Sequence, residues 1–561
     1  MKTMCHKVKK CLFSLIIVTA GTCLQLQAQS VERSLPDTAA LRQAAAIIGL
    51  RFTGPELLQM QRSVADQERN YISLRKNPIP NGRIPALVFH PAPPGFIPPA
   101  FEKPAHWPDN RSISLPSDRN ELAFMTIHEL AGLIRSKQIT SVELTRFFLE
   151  RLKRHNDSLL CVVAFTEELA MKQAEKADQE VREGKYRGQL HGIPYGVKDL
   201  MSVPGYPTTW GAGPYKDQRI DETAHVVQKL TDAGAVLIAK LTSGALAMGD
   251  VWFGGTTKNP WNLKRGSSGS SAGPASATAA GLVAFAIGTE TLGSIVSPST
   301  RCGVTGLRPT FGRVGRTGTM ALSWSMDKIG PICRTAMDCA IVLDAIHGPD
   351  IHDPATTTTG FTFTPINSFK GLKIGYLEKY FNQNYQGKQN DSIALAVFRE
   401  HGAKLIPVEL PENFPVSAMR IILSAEAAAA FDDLTRSDRD TLLDAQGSND
   451  WPNTFRASRF ITAVEYIQAN RIREELILEM NRLFSGYDLI IAPTFGGNQL
   501  TITNLTGQPC LVLPDGFDAA GNPTTISLLG NLFREDILCE AGYLYQQKTG
   551  FYRIKPTLFK Q

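Results

Sequence analysis

The sequence predicts an α/β protein in which a large sheet-and-helix domain follows a helical N-terminal appendage. Amphipathic helical segments alternate with short apolar runs of the kind that form buried strands, which favours a sheet enclosed by helices. At 561 residues and 43% apolar content, the chain is long enough to bury a large core. Capping boxes at Thr126–Glu129 and Thr140–Glu143 mark the beginnings of the first two helices of that domain.

Residues 1–28 have the pattern of a secretory signal peptide. Four lysines and no acidic residue occur in the first 30 residues, and an apolar run from Leu12 to Ala20 precedes small residues ending at Ala28. This order predicts cleavage after Ala28 and export to the periplasm or the medium. The apolar run is short for a membrane span, so no integral membrane segment is expected in the mature chain. A lipoprotein anchor at Cys23 is the weaker alternative, because Thr22 is a poor residue before an acylated cysteine.

Residues 29–76 are predicted to form the helical appendage, and residues 77–120 a proline-rich strap. Apolar residues recur at helical spacing in the first segment, whereas ten prolines fall between Pro78 and Pro108. Prolines at this density prevent a regular helix and favour an extended chain. We expect the strap to lie on the domain formed by residues 121–561, and one interpretation is that it covers the mouth of the active site.

Within residues 121–561, periodicity predicts further helices over about 165–184 and 222–233 and a long amphipathic helix over 458–484. Phe460, Val464, Ile467, Leu476, Met480 and Leu483 form the apolar stripe of this last helix and are predicted to be core residues. Buried strands are predicted at Ala235–Lys240, Leu282–Ile287, Leu372–Tyr376, Lys404–Val408 and Tyr487–Pro493.

Charge, cysteine and histidine content limit the classes of function. Four of the charges behind the net +6 lie in the leader, so the rest of the chain is nearly neutral and suggests no nucleic-acid partner. Six cysteines follow the leader without any C-x-x-C pair, which favours single buried thiols, and a Cys333–Cys339 disulfide is the open alternative. The segment His347–Asp353 holds two His and two Asp, but it lacks a zinc-type ligand spacing, and no metal is expected.

The stretch 265–316 carries the strongest functional signal. Two turns rich in Gly, Ser and Thr, one before Ala272 and one at Gly288–Ser294, flank a small-residue helix and the apolar run Leu282–Ile287. Glycines in such turns allow positive φ and close approach, so serines from both turns can face one site. A flexible Gly/Ser linker is the alternative, but a linker has no reason to bury that apolar run.

The residues also suggest which kind of hydrolytic chemistry is available. None of the ten histidines lies in a recognisable triad motif, and a G-x-S-x-G elbow is missing, so a standard α/β-hydrolase is disfavoured. A Ser–Lys pair is an established alternative for cleaving amides. Lys198 lies in a strand-like apolar run, where a lysine is costly unless it is neutral or paired. A surface lysine is the simpler explanation of Lys198 when it is considered alone.

The stretch 265–316 resembles the signature of the amidase signature family of serine hydrolases. The usual form GGSSGG…GTDxGGSI…P…CGxxGLKPTxGRV corresponds here to SGSSAG…GTETLGSIVSPSTRCGVTGLRPTFGRV. The segment around Lys198, GIPYGVKD, matches the lysine segment of the family, and Asn259–Asn262 and Ser325–Pro331 also fit. The resemblance extends from about Glu121 to the C-terminus. It implies the amidase signature fold, a large mixed β-sheet enclosed by α-helices, and hydrolysis of a carbon–nitrogen bond without a cofactor.

The resemblance also implies roles for individual residues. Ser294 is the expected nucleophile, Ser270 the bridging serine that follows a cis peptide bond, and Lys198 the base, with Ser271 in support. The backbone N–H groups expected to form the oxyanion hole belong to Thr291, Leu292, Gly293 and Ser294. Ser267 and Ser268 offer a competing register, but the spacing to Ser294 favours Ser270 and Ser271.

Three positions depart from the family pattern. Leu292 stands where Gly is usual, Val296 where Arg is frequent, and Glu290 where Asp is usual. These changes bring the charge pairing of the loop and the acyl pocket into question, and they motivate the alternative of a catalytically silent binding protein. Retention of Lys198, Ser270 and Ser294 argues against that alternative.

The leading prediction is therefore an exported, cofactor-free amidase that converts a small or peptide-derived carboxamide to a carboxylate and ammonia or an amine. A second alternative is a glutaminase resembling the glutamyl-tRNA amidotransferase A subunit, which the signal peptide disfavours because tRNA is cytoplasmic. Three aromatic residues are candidates for lining the substrate pocket: Trp252, Phe253 and Trp324.

Overall fold

The computed structural model describes residues 35–77, 79–101 and 103–560, and the chain divides into two compact units between Ile79 and Pro80. In the first unit, the predicted helical region is two helices, α1 (Thr38–Ile47) and α2 (Gly54–Leu74). The capping box of Thr53 and Glu56 fixes the beginning of α2. The predicted signal peptide, residues 1–28, lies outside the described residues.

The second unit alternates helices and strands, as the sequence predicts. Its α-helices are α3 (Ile127–Arg135), α4 (Ser141–Leu159), α5 (Glu167–Arg182), α6 (His225–Asp232), α7 (Ala272–Ala279), α8 (Val296–Cys302), α9 (Ala336–Ile346), α10 (Glu378–Phe381), α11 (Lys388–Glu400), α12 (Ile421–Ala430), α13 (Asp432–Arg436), α14 (Trp451–Ser458), α15 (Ala463–Phe484), α16 (Gln499–Thr506) and α17 (Glu535–Thr549). Short 3₁₀ helices cover Arg119–Phe124, Gly213–Tyr215, Ala245–Ala247, Ala418–Arg420, Arg439–Leu442, Phe551–Arg553 and Thr557–Phe559. Within the described ranges, no helix is long and apolar enough to cross a membrane.

The strands of the second unit form one large sheet and two small ones. They are β1 (Val162–Phe165), β2 (Pro194–Lys198), β3 (Val236–Leu241), β4 (Val251–Trp252), β5 (Gly255–Thr256), β6 (Lys258–Asn259), β7 (Asn262–Gly266), β8 (Phe285–Glu290), β9 (Thr305–Arg308), β10 (Lys328–Cys333), β11 (Lys373–Tyr376), β12 (Lys404–Pro407), β13 (Leu489–Pro493), β14 (Cys510–Phe517) and β15 (Pro523–Gly530). In the described part of the chain, the large sheet has eleven strands in the order β1-β3-β2-β8-β10-β9-β14-β15-β13-β11-β12.

The large sheet is mixed, which confirms the predicted fold class. β2 runs parallel to both β3 and β8, and β11 runs parallel to β12 and β13, whereas the strands between these groups pair antiparallel. Both faces are covered, so successive residues of a central strand enter different apolar cores. Leu489 and Ile491 of β13 belong to one core, and Ile490 to the core on the other face.

Residues 80–118 pass over the surface of the second unit without a helix or strand in their described part. Trp107 stacks on Phe363 with ring centroids 5.1 Å apart. Phe89 packs edge-on against Phe311 at 5.0 Å, and the guanidinium of Arg473 lies 3.5 Å from the centroid of the Phe89 ring. Aromatic and cation–π contacts therefore hold this proline-rich segment to the domain.

The predicted helix over 458–484 is wrong in its first part. α14 ends at Ser458, and α15 begins only after Thr462, whose hydroxyl accepts the Glu465 N–H as an N-cap. Only part of the apolar stripe predicted for this helix lies in the core. Leu476 and Met480 are buried, but the first three members are exposed. The exposed members are Phe460 (64%), Val464 (62%) and Ile467 (55%). Periodicity identified an apolar face, but the apolar core begins to cover that face only at Ala469.

The six cysteines of the described chain are all free and buried, as the absence of paired spacings predicts. Cys333 and Cys339 therefore do not form the alternative disulfide. Among the described residues, no group of three His, Cys, Asp or Glu side chains is arranged to hold a metal ion.

Candidate active site

The site forms where the ends of β2 and β8 meet the turn that precedes α7. β2 and β8 are parallel, with Val197 opposite Ile287, so Lys198 and Thr289 emerge at the same edge of the sheet. The Lys198 Nζ atom lies 2.8 Å from the Ser270 Oγ atom and 2.8 Å from the Thr289 Oγ1 atom. The structure therefore joins the predicted base to the predicted bridging serine.

Lys198 is fully buried, and no carboxylate of the described residues lies within hydrogen-bond distance of it. Burial lowers the pKa of Lys198 well below its usual value, and the more distant charges of Asp327 and Glu290 oppose this shift only in part. A neutral amine needs no counter-ion, and its nitrogen lone pair can accept a proton from a neighbouring hydroxyl. This environment suits a base that works near neutral pH.

A second buried lysine shows what Lys198 lacks. The Lys240 Nζ atom lies 2.7 Å from the Asp199 carboxylate, and both side chains are fully buried. Burial lowers the pKa of Lys240, but the charge of Asp199 raises it and compensates in part. Lys240 is therefore held as one half of an ion pair, whereas the hydrogen-bond partners of the Lys198 side chain among the described residues are two neutral hydroxyl groups.

The turn before α7 is built around Gly269. The Gly269–Ser270 peptide bond is cis, and a Cβ atom at Gly269 would lie 1.8 Å from the Gly249 carbonyl oxygen, so only glycine fits. The Ser271 N–H donates to the Ser294 carbonyl at 3.2 Å, which places the turn beside the predicted nucleophile. The Ser271 hydroxyl bonds to both backbone groups of Thr289, at 3.0 and 3.1 Å, and so fixes the turn to β8.

The remaining serines occupy different positions. Ser294 is half-buried, and within the described chain its hydroxyl makes no hydrogen bond to Ser270. Catalytic hydrogen bonds are often long before substrate binds, so this separation does not exclude a relay between the two hydroxyls. Ser267 donates to the Ser268 carbonyl at 2.9 Å, and the Ser268 hydroxyl lies 2.9 Å from that of Ser297, so both shape the turn.

The loop from Thr291 to Ser294 carries the backbone N–H groups that are expected to form the oxyanion hole. Gly293 has φ +89°, a conformation that favours glycine, whereas Leu292 is not among the residues with positive φ. The Leu292 substitution therefore costs no backbone strain. In the described chain, the amides of Leu292, Gly293 and Ser294 donate to no other protein group. Free, converging N–H groups are what an oxyanion hole requires.

Glu290 holds the chain that follows Ser294. One carboxylate oxygen accepts the N–H groups of Ile295 and Val296 at 2.8 and 2.9 Å. The other accepts from Arg308 at 2.9 Å and from Asn504 at 2.8 Å. Burial alone would raise the pKa of Glu290, but the charge of Arg308 and these hydrogen bonds lower it to about 2. The longer Glu thus maintains the charge pairing of the loop.

The Val296 substitution also fits its surroundings. Its side chain is fully buried in the apolar core that contains Met326 and Ile502. An arginine there would require a buried partner for its charge, whereas valine needs only apolar contacts. Neither Leu292 nor Val296 therefore supplies a physical reason for a silent site.

The structure adds two polar residues that the sequence analysis did not identify. Thr289 accepts a hydrogen bond from Lys198, and Asp327 accepts one from the Thr291 hydroxyl at 2.6 Å. Burial raises the pKa of Asp327, and the hydrogen bonds from Thr291, Ser323 and Leu322 act against that shift. Both residues lie inside the family-like segments, but only the contacts reveal what they do.

A cavity of about 760 Å³ opens beside these residues. Thr289, Thr291 and Asp327 line its inner part, and Trp324 lines it as predicted. Trp252 and Phe253, the other predicted lining residues, are not part of its wall. They pack edge-to-face against each other with centroids 4.8 Å apart, so their aromatic surface is used for packing.

Comparisons with known proteins show what the chain as a whole resembles. A family model described as Amidase matches residues 143–508. The chain is 32% identical over 487 residues to the A subunit of the glutamyl-tRNA(Gln) amidotransferase of Moorella thermoacetica, covering 78% of this chain and 99% of that protein. Among solved structures, an amidase family protein from Bacillus anthracis matches with TM-score 0.70 and 27% identity, over 78% of this chain and 92% of that one. The peptide amidase of Stenotrophomonas maltophilia matches with TM-score 0.67 and 29% identity, over 77% and 98%.

The Glu290 cluster generates a stability prediction. Glu290→Gln is expected to lower the free energy of unfolding by about 3–5 kcal/mol, because it leaves the buried Arg308 without its counter-charge. Glu412→Gln is the matched control, since Glu412 pairs with Lys379 at the exposed surface and should change stability by less than about 1 kcal/mol. Equal losses in the two variants, measured by urea unfolding, would contradict this account.

The difference in the free energy of unfolding between wild type and Glu290→Gln is expected to depend on pH, because of the pKa of Glu290. The folded-state value, about 2, lies below the ordinary value of 4.5, so the carboxylate contributes stability above pH 4.5. That contribution is lost as the pH falls towards 2. The difference in the free energy of unfolding between wild type and Glu290→Gln, measured by urea unfolding, is therefore expected to become smaller as the pH falls from 4.5 towards 2.

Proposed function

Because the chain belongs to the amidase signature family, whose members act on carbon–nitrogen bonds, we propose that it hydrolyses a carboxamide through an acyl-enzyme on Ser294. The products are a carboxylate and ammonia or an amine. One observation carries the proposal: a fully buried Lys198, which has no carboxylate partner in the described part of the chain, lies 2.8 Å from the Ser270 hydroxyl. Burial favours the neutral form of such a lysine, which can remove a proton from a serine.

The first half of the reaction forms the acyl-enzyme. The Ser294 Oγ atom attacks the amide carbon while its proton passes to Ser270, whose own proton passes to the lone pair of Lys198. The carbonyl oxygen becomes an oxyanion, which the backbone N–H groups of the loop from Thr291 to Ser294 stabilise. When the intermediate collapses, the carbon–nitrogen bond breaks. The leaving nitrogen takes a proton back from Lys198 through Ser270.

The second half releases the acid. A water molecule attacks the acyl carbon of the ester on Ser294 and gives its proton to Ser270, which again passes one to Lys198. Collapse of this second intermediate breaks the ester bond, and the proton returns to the Ser294 oxygen. The enzyme ends in its starting protonation state, with Lys198 neutral.

A fluorophosphonate, which phosphonylates activated serines with loss of fluoride, tests these roles. Wild-type protein is expected to be labelled at Ser294, and Ser294→Ala to lose the label. Lys198→Ala and Ser270→Ala should react about 10²–10⁴-fold more slowly, because the general base or its relay is lost. Ser268→Ala is the matched control and should react like wild type, since Ser268 bonds to Ser297 rather than to Lys198. Mass spectrometry locates the label. A label on another serine, or an unchanged labelling rate in Lys198→Ala, would contradict the roles proposed for Ser294 and Lys198.

A second candidate function is a glutaminase that supplies ammonia. It is favoured by the Moorella thermoacetica relative, which is named as the A subunit of a glutamyl-tRNA(Gln) amidotransferase and is matched over 99% of its length. Against it stands the leader-like sequence of residues 1–28, because a transamidation partner bound to tRNA would be cytoplasmic.

Ammonia release from the purified protein alone distinguishes the two candidates. The amidase proposal predicts that the best simple or peptide-derived carboxamide exceeds glutamine in kcat/KM by at least about tenfold. Ser294→Ala serves as the blank for contaminating activity. A kcat/KM for glutamine that exceeds that of every other carboxamide by at least about tenfold would instead support the glutaminase.

We also propose that the protein is exported after cleavage at Ala28. The charged, apolar and small segments of residues 1–28 support this proposal. N-terminal sequencing of protein expressed from the full chain in a Gram-negative host is expected to begin at Gln29 in the periplasmic fraction. Leu15→Arg, which interrupts the apolar run, should keep the uncleaved chain in the cytoplasm. Intact chain in the cytoplasm for both versions would contradict export.

A further inference from the structure

One wall of the active-site cavity comes from the strap rather than from the family-like part of the chain. Pro80, Asn81, Gly82, Arg83 and Ile84 line the cavity that also contains Thr289, Thr291 and Asp327. These strap residues precede the match to the family model, which begins at residue 143. A segment that lies outside the matched family region therefore forms part of the wall of this cavity.

Asn81 binds the strap residues of the cavity wall to the loop that contains Ala321. Its Oδ1 atom accepts the Ala321 N–H at 2.7 Å, and its Nδ2 group donates to the Ala321 carbonyl at 3.0 Å. The same Nδ2 group donates to the Ala430 carbonyl, the last residue of α12, at 3.2 Å. The backbone carbonyl of Asn81 accepts from the Trp324 indole at 3.3 Å. One side chain thus holds both backbone groups of Ala321 and connects them to α12.

The loop that Asn81 holds leads directly to the oxyanion loop. The residues after Ala321, Leu322 and Ser323, donate their N–H groups to one oxygen of Asp327 at 2.8 and 3.0 Å. The other oxygen of Asp327 accepts the Thr291 hydroxyl at 2.6 Å. Thr291 begins the segment whose N–H groups are assigned to the oxyanion hole in the proposed reaction. Hydrogen bonds at Ala321 and at Asp327, joined by the backbone from Ala321 to Ser323, therefore connect Asn81 to the loop that carries Ser294.

We propose that Asn81 is a positioning residue of the active site, acting through the Ala321–Ser323 backbone and Asp327 on the oxyanion loop. This inference rests on the proposed amidase function, because it assigns Asn81 a part in the same reaction. Asn81 does not touch the reacting atoms. Its contribution is to keep the N–H groups of Leu322 and Ser323 in position to bind Asp327. Asp327 in turn holds the Thr291 hydroxyl, so that the amides after Thr291 keep their position relative to the substrate carbonyl.

The test compares two asparagines of the strap. Asn81→Ala is expected to lower the rate of fluorophosphonate labelling and kcat by about tenfold, because small displacements of an oxyanion loop are costly. Asn110→Ala is the matched control. Its Nδ2 group also bridges the strap to the domain, through the His128 carbonyl at 3.0 Å and Gln189 at 3.2 Å, but Asn110 is not part of the cavity wall. Asn110→Ala should label at nearly the wild-type rate.

A double-mutant cycle separates positioning from general destabilisation. If Asn81 acts through Asp327, the double variant with Asp327→Asn should label no more than about threefold slower than the slower single variant, because both changes break one series of contacts. Independent roles would instead multiply the two rate losses. Unfolding midpoints of all variants show whether each remains folded at the assay temperature.

The outcomes test the positioning role of Asn81 separately from the proposed amidase function. Non-additive losses for Asn81 and Asp327, with Asn110→Ala close to wild type, support the positioning role. Multiplicative losses, an equal loss in Asn110→Ala, or an unchanged rate in Asn81→Ala overturn the positioning role and leave the proposed amidase intact. A folded wild-type protein that is not labelled at all overturns the amidase proposal, and the inference with it.

Discussion

The candidate site depends on Lys198, a lysine that is buried without a charge partner among the residues that the structure describes. Taking an ammonium group out of water is costly, and an adjacent carboxylate is the common compensation, as the Lys240–Asp199 pair shows. Lys198 instead contacts the hydroxyls of Ser270 and Thr289. The least costly state of such a lysine is the neutral amine, which can serve as a base at a pH where an exposed lysine cannot. The parallel pairing of β2 and β8 brings these groups together.

The nearby carboxylates are used to shape the loops rather than to neutralise Lys198. Glu290 accepts the two N–H groups that follow Ser294 and pairs with Arg308. Asp327 accepts the Thr291 hydroxyl and two further N–H groups. Each carboxylate thus fixes backbone on one side of the proposed oxyanion hole. Both negative charges still raise the pKa of Lys198 somewhat, although burial dominates. The same residues therefore influence the geometry of the site and the basicity of its lysine.

Much of the fold could be predicted from the sequence, because alternating apolar runs and capping boxes report local structure directly. The stretch 265–316 and the segment GIPYGVKD also indicated Ser270, Ser294 and Lys198 through their resemblance to the family. The Asn81–Ala321 contact could not be predicted, since its partners are 240 residues apart and an asparagine in a proline-rich strap carries no distinctive pattern. Helical periodicity failed at Val464 and Ile467 for a related reason: it identifies an apolar face without showing whether another element covers it.

The most direct test of the central claim is to measure the protonation state of Lys198 itself. In protein labelled with ¹³C at lysine Cε, comparison with Lys198→Met assigns the Lys198 signal, which can then be followed as a function of pH. The account predicts that Lys198 titrates well below the ordinary lysine pKa of 10.5, so that it is neutral near pH 7 while exposed lysines remain charged. A Lys198 signal that titrates together with the exposed lysines would contradict the account, because a protonated Lys198 could not accept the serine proton.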